Sequence, residues 1–267
     1  MCMCIRVKYN INCEINNSLN NLGLESIFDT ISNKFQININ DKIYSFVSFE
    51  QITNYNMVAS IDSDNYFNFR QKIPKLPIYL QELYCSSCNI ISLPKMPNTL
   101  KILNCSYNRL VELPELPDNL QILDCHSNCL HQLPELSNEL QQLDCSHNYN
   151  LHQLPNLPNT LKKLICSYCK LSSLPKLSIH LTTLYCMYNE LSKLPKLQNE
   201  LEILYCNNNN LTSLPLFPKS IKDINIQYNN IRWISNISEK LSDYCYYSFL
   251  TNLLNKQIYK YLYKIIY

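Results

Sequence analysis

From residue 80 onward this chain repeats itself. Leu80, Leu100, Leu120 and Leu140, then Leu161, Leu181, Leu201 and Ile221, each open a copy of one pattern, L-x-x-L-x-C-S-x-N-x-L-x-x-L-P-x-L-P-x-x. Its clearest copy is Leu100 to Asn119, LKILNCSYNRLVELPELPDN. A unit of about twenty residues is too short to bury its own apolar face, so successive units must stack and share one interior. The expected architecture is therefore a solenoid over residues 73–240, entered through the degenerate half-copy Ile73-Pro74-Lys75-Leu76-Pro77. The fourth unit holds one extra residue around Tyr149-Asn150, which predicts a bulge in a loop. The eighth loses both prolines and has Ile226 in place of cysteine, with Ile234 and Ile237 at the apolar positions; terminal units drift in this way.

Each position has a physical reason, counting the opening leucine as position one. Leu103 and Cys105 alternate with Ile102, Asn104 and Ser106, the signature of a short strand with one face buried. Parallel strands of successive units then stack about 4.8 Å apart. Asn108 ends the strand, and its side-chain amide can both donate to and accept from the turning backbone of neighbouring rungs. Leu110, Leu113 and Leu116 are expected to fill the core from the other side. Pro114 and Pro117 hold the return segment extended and polyproline-like, which excludes a return helix. The fold class is an α/β-type repeat solenoid, mostly β, with a parallel concave sheet and an irregular convex side.

Two flanks lie outside the period. Residues 1–72 contain no proline. There the alternation Ile5, Val7, Tyr9, Ile11, Cys13 and Ile15 predicts a strand. Ser18 offers an N-cap for a helix whose face is Leu24, Ile27, Phe28, Ile31 and Phe35. Ile37, Ile39, the pair Asn40-Asp41 and the run Ile43 to Phe49 predict a hairpin, and Gln51 to Lys72 has no clear period. This flank is expected to be a small α/β cap over the first rung, with an independent domain as the alternative. In residues 241–267, Phe249, Leu250, Leu253, Leu254, Ile258 and Leu262 share a helical face, and Lys256, Lys260 and Lys264 share another. The expectation is a capping helix; the alternative is a basic amphipathic helix at a membrane surface.

The net charge of +2 provides no strong field for nucleic acid or anionic lipid. No stretch of 18 apolar residues is present to cross a bilayer as a helix. The opening Met-Cys-Met-Cys-Ile-Arg-Val-Lys lacks the apolar core of an export signal, so the 14 cysteines are expected to stay thiols in a reducing compartment. The expected location is cytoplasmic, the cytoplasm of a host cell included.

The unit L-x-x-L-x-C-S-x-N-x-L-x-x-L-P-x-L-P resembles the leucine-rich repeat in its shortest variety. That variety is typical of secreted effectors of bacterial pathogens, and similar asparagine-rich versions occur in large DNA viruses of amoebae. The resemblance covers Ile73 to about Lys240. Position six departs from it, being Cys where the family usually has Leu, Val or Ile. Some such effectors carry a ubiquitin-ligase domain after the repeats; here the tail is short and holds no Cys-x-Asp motif, so ligase activity is not implied.

Cys85, Cys105, Cys125, Cys145, Cys166, Cys186 and Cys206 all fall at position six, facing inward, where a free cysteine acts as a small buried hydrophobe. Cys85-Ser-Ser-Cys88 and Cys166-Ser-Tyr-Cys169 mimic a C-x-x-C metal or redox motif. Yet Cys88 and Cys169 merely occupy the asparagine position, and two such motifs four rungs apart stand about 19 Å apart, too far to share one tetrahedral zinc. No cofactor or metal is expected.

Asp124 with His126, and Asp144 with His147, invite a hydrolytic or metal-binding reading, since Asp124 and Asp144 occupy the same position one rung apart. No nucleophile with an orienting base or oxyanion donor accompanies them, and a solvated face is the simpler reading. The stronger signal is aromatic: positions five, seven and eight place Tyr84, Tyr107, Tyr168, Tyr185, Tyr188, Tyr205 and Tyr228 on the concave sheet or its rim, with Ile165 beside Tyr185 and Tyr205. Tyrosine offers large contact area at low entropy cost and is enriched at binding hot spots. The expected function is therefore a non-catalytic, monomeric module that binds a protein through the concave face, using Tyr84, Asp124, His126, Asp144, Ile165, Tyr168, Tyr185, Tyr188, Tyr205 and Tyr228. Stacking of RNA bases on the rings would need a basic groove that the sequence does not supply. An adaptor whose segment 1–72 engages a second factor is the alternative.

Overall fold

The computed structural model describes residues 73, 76, 78 and 80–231, and outside them the backbone of four strands. The rest of the expected strand over 5–15, the expected helix over 24–35, Ile234, Ile237 and the expected helix in 241–267 lie outside the described residues. The strands in chain order are β1 (Cys4–Ile5), β2 (Phe35–Ile39), β3 (Lys42–Phe46), β4 (Ser60–Asp64), β5 (Glu82–Tyr84) and β6 (Ile102–Asn104). They continue as β7 (Ile122–Asp124), β8 (Gln142–Asp144), β9 (Lys163–Ile165), β10 (Thr183–Tyr185), β11 (Ile203–Tyr205) and β12 (Asp223–Asn225). The chain divides into two compact units, residues 1–128 and 129–267.

In the first unit, β2 and β3 pair antiparallel as the expected hairpin, with Ile39 opposite Lys42. β1 runs antiparallel to β4, and β4 runs parallel to β5 with Ile61 beside Leu83. β4 was not legible as a strand, because Ser-Ile-Asp-Ser-Asp has a single apolar residue and its pairing with β5 sets its conformation. β5, β6 and β7 are parallel, aligning Leu83, Leu103 and Leu123. In the second unit β8 to β12 are parallel and align Leu143, Leu164, Leu184, Leu204 and Ile224. The first of those steps spans 21 residues and the others 20, so the extra residue is absorbed between β8 and β9.

Every repeat strand buries its middle residue and half-exposes the flanking pair, β8 exposing Gln142 further. Leu103, Leu123, Leu143, Leu164, Leu184 and Leu204 are all buried to 1% or less. Position eleven (Leu110, Leu130, Leu151, Leu171, Leu191, Leu211) and position fourteen close the interior from the opposite side. Position seventeen is uneven: Leu177 and Leu197 are buried, whereas Leu116 is only half-buried and Pro117 takes the inside place. The turn that follows, Leu120 N–H donating to the Pro117 carbonyl at 3.1 Å, recurs after Leu177 and Leu197, so the difference at Leu116 is that Pro117 is the residue packed inward there. Among the described residues no helix occurs, and none is long and apolar enough to cross a membrane.

The rungs are tied by their asparagines. Asn189 Nδ2 donates to the Cys166 carbonyl (2.8 Å), the Cys186 carbonyl (3.1 Å) and the Met187 carbonyl (3.3 Å), and its Oδ1 accepts from the Leu171 amide at 3.0 Å. Asn108 and Asn209 repeat this with their own neighbours. One amide side chain thus satisfies buried backbone groups of two rungs, which would otherwise cost about 1–3 kcal/mol each.

Candidate protein-binding surface

The outward strand positions form two columns in each unit. In the first unit position five carries Tyr84, Asn104 and Asp124; in the second it carries Asp144, Ile165, Tyr185, Tyr205 and Asn225. Register places Ile165, Tyr185 and Tyr205 side by side on adjacent strands. The Tyr185 and Tyr205 rings meet edge to face, 5.0 Å between centroids at 70°. The Tyr205 hydroxyl donates to Asp223 Oδ2 at 2.5 Å, so its ring is held from both sides.

Positions five and seven work as a pair. Where position five is Asn or Asp, its Oδ1 accepts the amide of the residue two further on. This occurs from Asn104 to Ser106 (3.1 Å), Asp124 to His126 (3.3 Å), Asp144 to Ser146 (3.0 Å) and Asn225 to Gln227 (3.2 Å). The side chain at position seven adds a second bond: Ser106 Oγ to Asn104 at 2.7 Å and Ser146 Oγ to Asp144 at 2.6 Å. The His126 Nδ1–Asp124 Oδ1 contact of 2.6 Å occupies the same place. Asp124 and His126 therefore form a variant of a turn that the array builds elsewhere with Asn and Ser, a structural use of both side chains. Where position five turns to Ile165 or Tyr205, the partner is lost, and Ser167 Oγ and Asn207 Oδ1 are buried without a hydrogen bond.

Position eight is the rim, and its backbone is left-handed at every rung. φ is 51° at Tyr107, 53° at Ser127, 54° at His147, 55° at Tyr168, 54° at Tyr188, 55° at Asn208 and 55° at Tyr228. The chain's one glycine lies far upstream, so these turns are all made by residues with a Cβ, at a cost of about 1–2 kcal/mol each. Their side chains consequently project alike. His147 stacks on Tyr168 and Tyr168 on Tyr188, each pair 4.3 Å between centroids and within 11° of parallel. The inserted Tyr149 joins from the side, its hydroxyl 3.2 Å from His147 Nδ1. In the first unit Tyr107 meets His126 edge-on at 4.6 Å.

The sequence-level site residues thus fall into two rows. Tyr84, Asp124, Asp144, Ile165, Tyr185 and Tyr205 lie on the strands; Tyr168, Tyr188 and Tyr228 lie on the rim; His126 follows β7 instead of lying within it. Sequence reasoning missed the stack and the membership of His147 and Tyr149. The available signal was the recurrence of aromatics at position eight; the left-handed backbone that aligns them has no mark in Tyr, Ser or His.

The position-six thiols are buried and none is joined in a disulfide. Burial pushes the Cys206 thiol up to about 12 and that of Cys169 up to about 11. Cys85, Cys105, Cys145, Cys166 and Cys186 are raised as well, by burial first and then by nearby anionic groups. These groups stay protonated and unreactive at neutral pH. Cys88 and Cys169 stand in for asparagine as donors: Cys88 Sγ to the Ser86 carbonyl at 3.3 Å, and Cys169 Sγ to the Cys145 and Ser167 carbonyls at 3.5 and 3.6 Å. Cys129 is the exposed thiol among the described residues.

No protein-family model matches the sequence, and no curated protein matches it. Solved structures do. YopM from Yersinia enterocolitica is 34% identical with a TM-score of 0.62, over 65% of this chain and 38% of that one. YopM from Yersinia pestis, described as a leucine-rich effector protein, is 34% identical with a TM-score of 0.59, over 61% of this chain and 48% of that one. The functional domain of InlJ from Listeria monocytogenes, which includes a cysteine ladder, shares the fold at 24% identity and a TM-score of 0.52, over 62% of this chain and 41% of that one. The chain spans less than half the length of each of these proteins. The twenty-residue register, the asparagine ladder and these likenesses together make it a leucine-rich-repeat protein.

Proposed function

We propose that this chain is a non-catalytic module that captures a partner protein on the strand face of its repeats, by rigid shape complementarity. The observation that carries the reading is the in-register column Ile165, Tyr185 and Tyr205, half-exposed on parallel strands and held by an edge-to-face pair and the Asp223 hydrogen bond. Amphipathic rings fixed in place before binding lose little entropy on docking. Asp144 on β8 sets the polarity of the partner's edge, as Asp124 and His126 do on the first unit. The likeness to leucine-rich effectors of Yersinia supports a protein partner. The reading extends to a monomer, without cofactor, in a reducing cytoplasmic setting suited to free thiols.

The test is affinity capture from the native host cell with the wild-type chain and the Tyr185→Ala/Tyr205→Ala double variant. The co-purifying protein is expected to be lost with the variant, while circular dichroism stays unchanged and melting falls only by the modest amount set by the lost ring pair and Asp223 hydrogen bond. Equal capture by both would refute the strand-face site.

A further inference from the structure

The return side of the second unit carries a block of distinct composition. Positions twelve, thirteen and sixteen are exposed on the fifth, sixth and seventh rungs, those opened by Leu161, Leu181 and Leu201. The nine residues at these places are Lys176, Lys193, Lys196, Leu216 and five serines or threonines, with no acid among them. The repeat does not dictate this choice: on the second rung the same positions hold Val111, Glu112 and Glu115. The three return segments lie side by side. Glu190 N–H donates to the Leu171 carbonyl at 2.9 Å, Asn210 N–H to the Leu191 carbonyl at 2.9 Å, and Thr212 N–H to the Ser192 carbonyl at 3.4 Å. Lys176, Lys196 and Leu216 therefore form one column on successive rungs, with Lys193 beside it.

None of these three ammonium groups makes an ion pair or hydrogen bond among the described residues, in contrast to Lys222, which binds Glu202 at 2.7 Å. The acids flanking the block in sequence are Glu190 and Glu200, and Glu200 faces His180 at 3.2 Å. Unpaired cations on adjacent rungs, about 5 Å apart per rung, set up a local positive field on a chain whose net charge is only +2. Leu216 ends the column and is 68% exposed, more than any other large apolar side chain among the described residues. A free phosphate or a lipid headgroup would satisfy the lysines and leave that leucine in water. A polypeptide with carboxylates followed by an apolar side chain would cover both. The serine and threonine hydroxyls, each a donor and an acceptor, suit its backbone.

We propose that the return face of the fifth to seventh rungs docks an acidic segment of a partner protein, its carboxylates on Lys176, Lys193 and Lys196 and an apolar side chain on Leu216. The block lies across the core from the Ile165, Tyr185 and Tyr205 column, so it is a second docking surface and does not rest on the first.

The experiment follows the fluorescence anisotropy of labelled acetyl-Glu-Glu-Glu-Leu-Leu-amide as the full chain is added. Saturable binding that weakens with added salt is expected. Lys176→Ala/Lys193→Ala/Lys196→Ala should weaken it about tenfold, each exposed pair giving roughly two- to threefold, and Leu216→Ser about threefold. Glu112→Ala/Glu115→Ala, at the same positions of another rung, should leave it unchanged. Absence of saturable binding, undiminished binding by the triple lysine variant, or equal affinity for a peptide of glutamates alone would each overturn the proposal. So would displacement of the peptide by phosphatidylserine vesicles or polyuridine RNA at lower concentration, which would point to a membrane or a nucleic acid instead.

Discussion

Cys169, like Cys88, sits at the asparagine position of the array, and the amide that an asparagine at 169 would receive, Leu151 N–H, is already bonded to the Asn148 carbonyl at 3.0 Å. The extra residue at Tyr149-Asn150 makes this possible, by turning the chain so that the fourth rung satisfies its own amide. At Asn189 and Asn209 no such turn exists, and the Leu171 and Leu191 amides rely on the side chain of the next rung. Asn189→Ala is therefore expected to destabilise the chain by about 2–4 kcal/mol, leaving buried backbone groups on both rungs unpaired. Cys169→Asn should gain little, because its Oδ1 finds no free amide. Urea unfolding midpoints at constant slope would decide both.

Stability should fall on the alkaline side. The Cys169 and Cys206 thiols titrate at about 11 and about 12 when folded, against 9.0 for the ordinary group. A raised folded value means that the native state holds its protons longer than the unfolded chain. Stability is then fully present below about pH 9 and is lost as pH climbs toward the folded values, at up to about 1.4 kcal/mol per pH unit for each thiol. Thermal melts from pH 7 to 11 should show this decline, and Cys206→Ala should make it shallower. In the same protein a thiol reagent at pH 8 should modify Cys129 rapidly and the position-six thiols only on unfolding.

Two serines at one repeat position should respond oppositely to truncation. Ser146 Oγ donates to the Asp144 carboxylate at 2.6 Å, so Ser146→Ala is expected to cost about 1–2 kcal/mol. Ser167 Oγ is buried with no partner, so Ser167→Ala should be neutral or stabilising by up to about 1 kcal/mol. Denaturant melts of the two single variants give the comparison directly.

The left-handed rim offers a further contrast. Ser127 holds φ at 53° without a ring stack; Ser127→Gly removes the Cβ conflict and should stabilise by about 1 kcal/mol. Tyr168 has the same backbone but is stacked on both sides, so Tyr168→Gly should give no such gain. Melting temperatures measured side by side would test whether stacking offsets the strain.

The rungs were legible because the leucines of positions one, four and eleven carry a period that only stacking can satisfy. The asparagine ladder was legible in kind, since an amide is the side chain that can donate and accept at once. Leu116 was placed too deep: the polyproline-like spacing of positions eleven, fourteen and seventeen says nothing about whether Leu116 or Pro117 packs inward. The rim was the least legible part. Tyr107, Tyr168 and Tyr188 were read from their column alone, and of the residues there only Asn208 is of a type that announces a positive φ. The loss of a partner at Ser167 follows from Ile165 two residues earlier, a coupling visible only once both side chains are seen to share one turn.

Because each asparagine completes the rung before its own, a copy of this unit finishes its predecessor and leaves its own last amide to the next. Gene duplication that appends a copy downstream thus repairs one open end and creates another, while a slip of a single codon is survivable only if a local turn takes over the missing service. The loop at Tyr149 is such a local turn, and the cysteine one rung later occupies a position that no longer has to supply an acceptor.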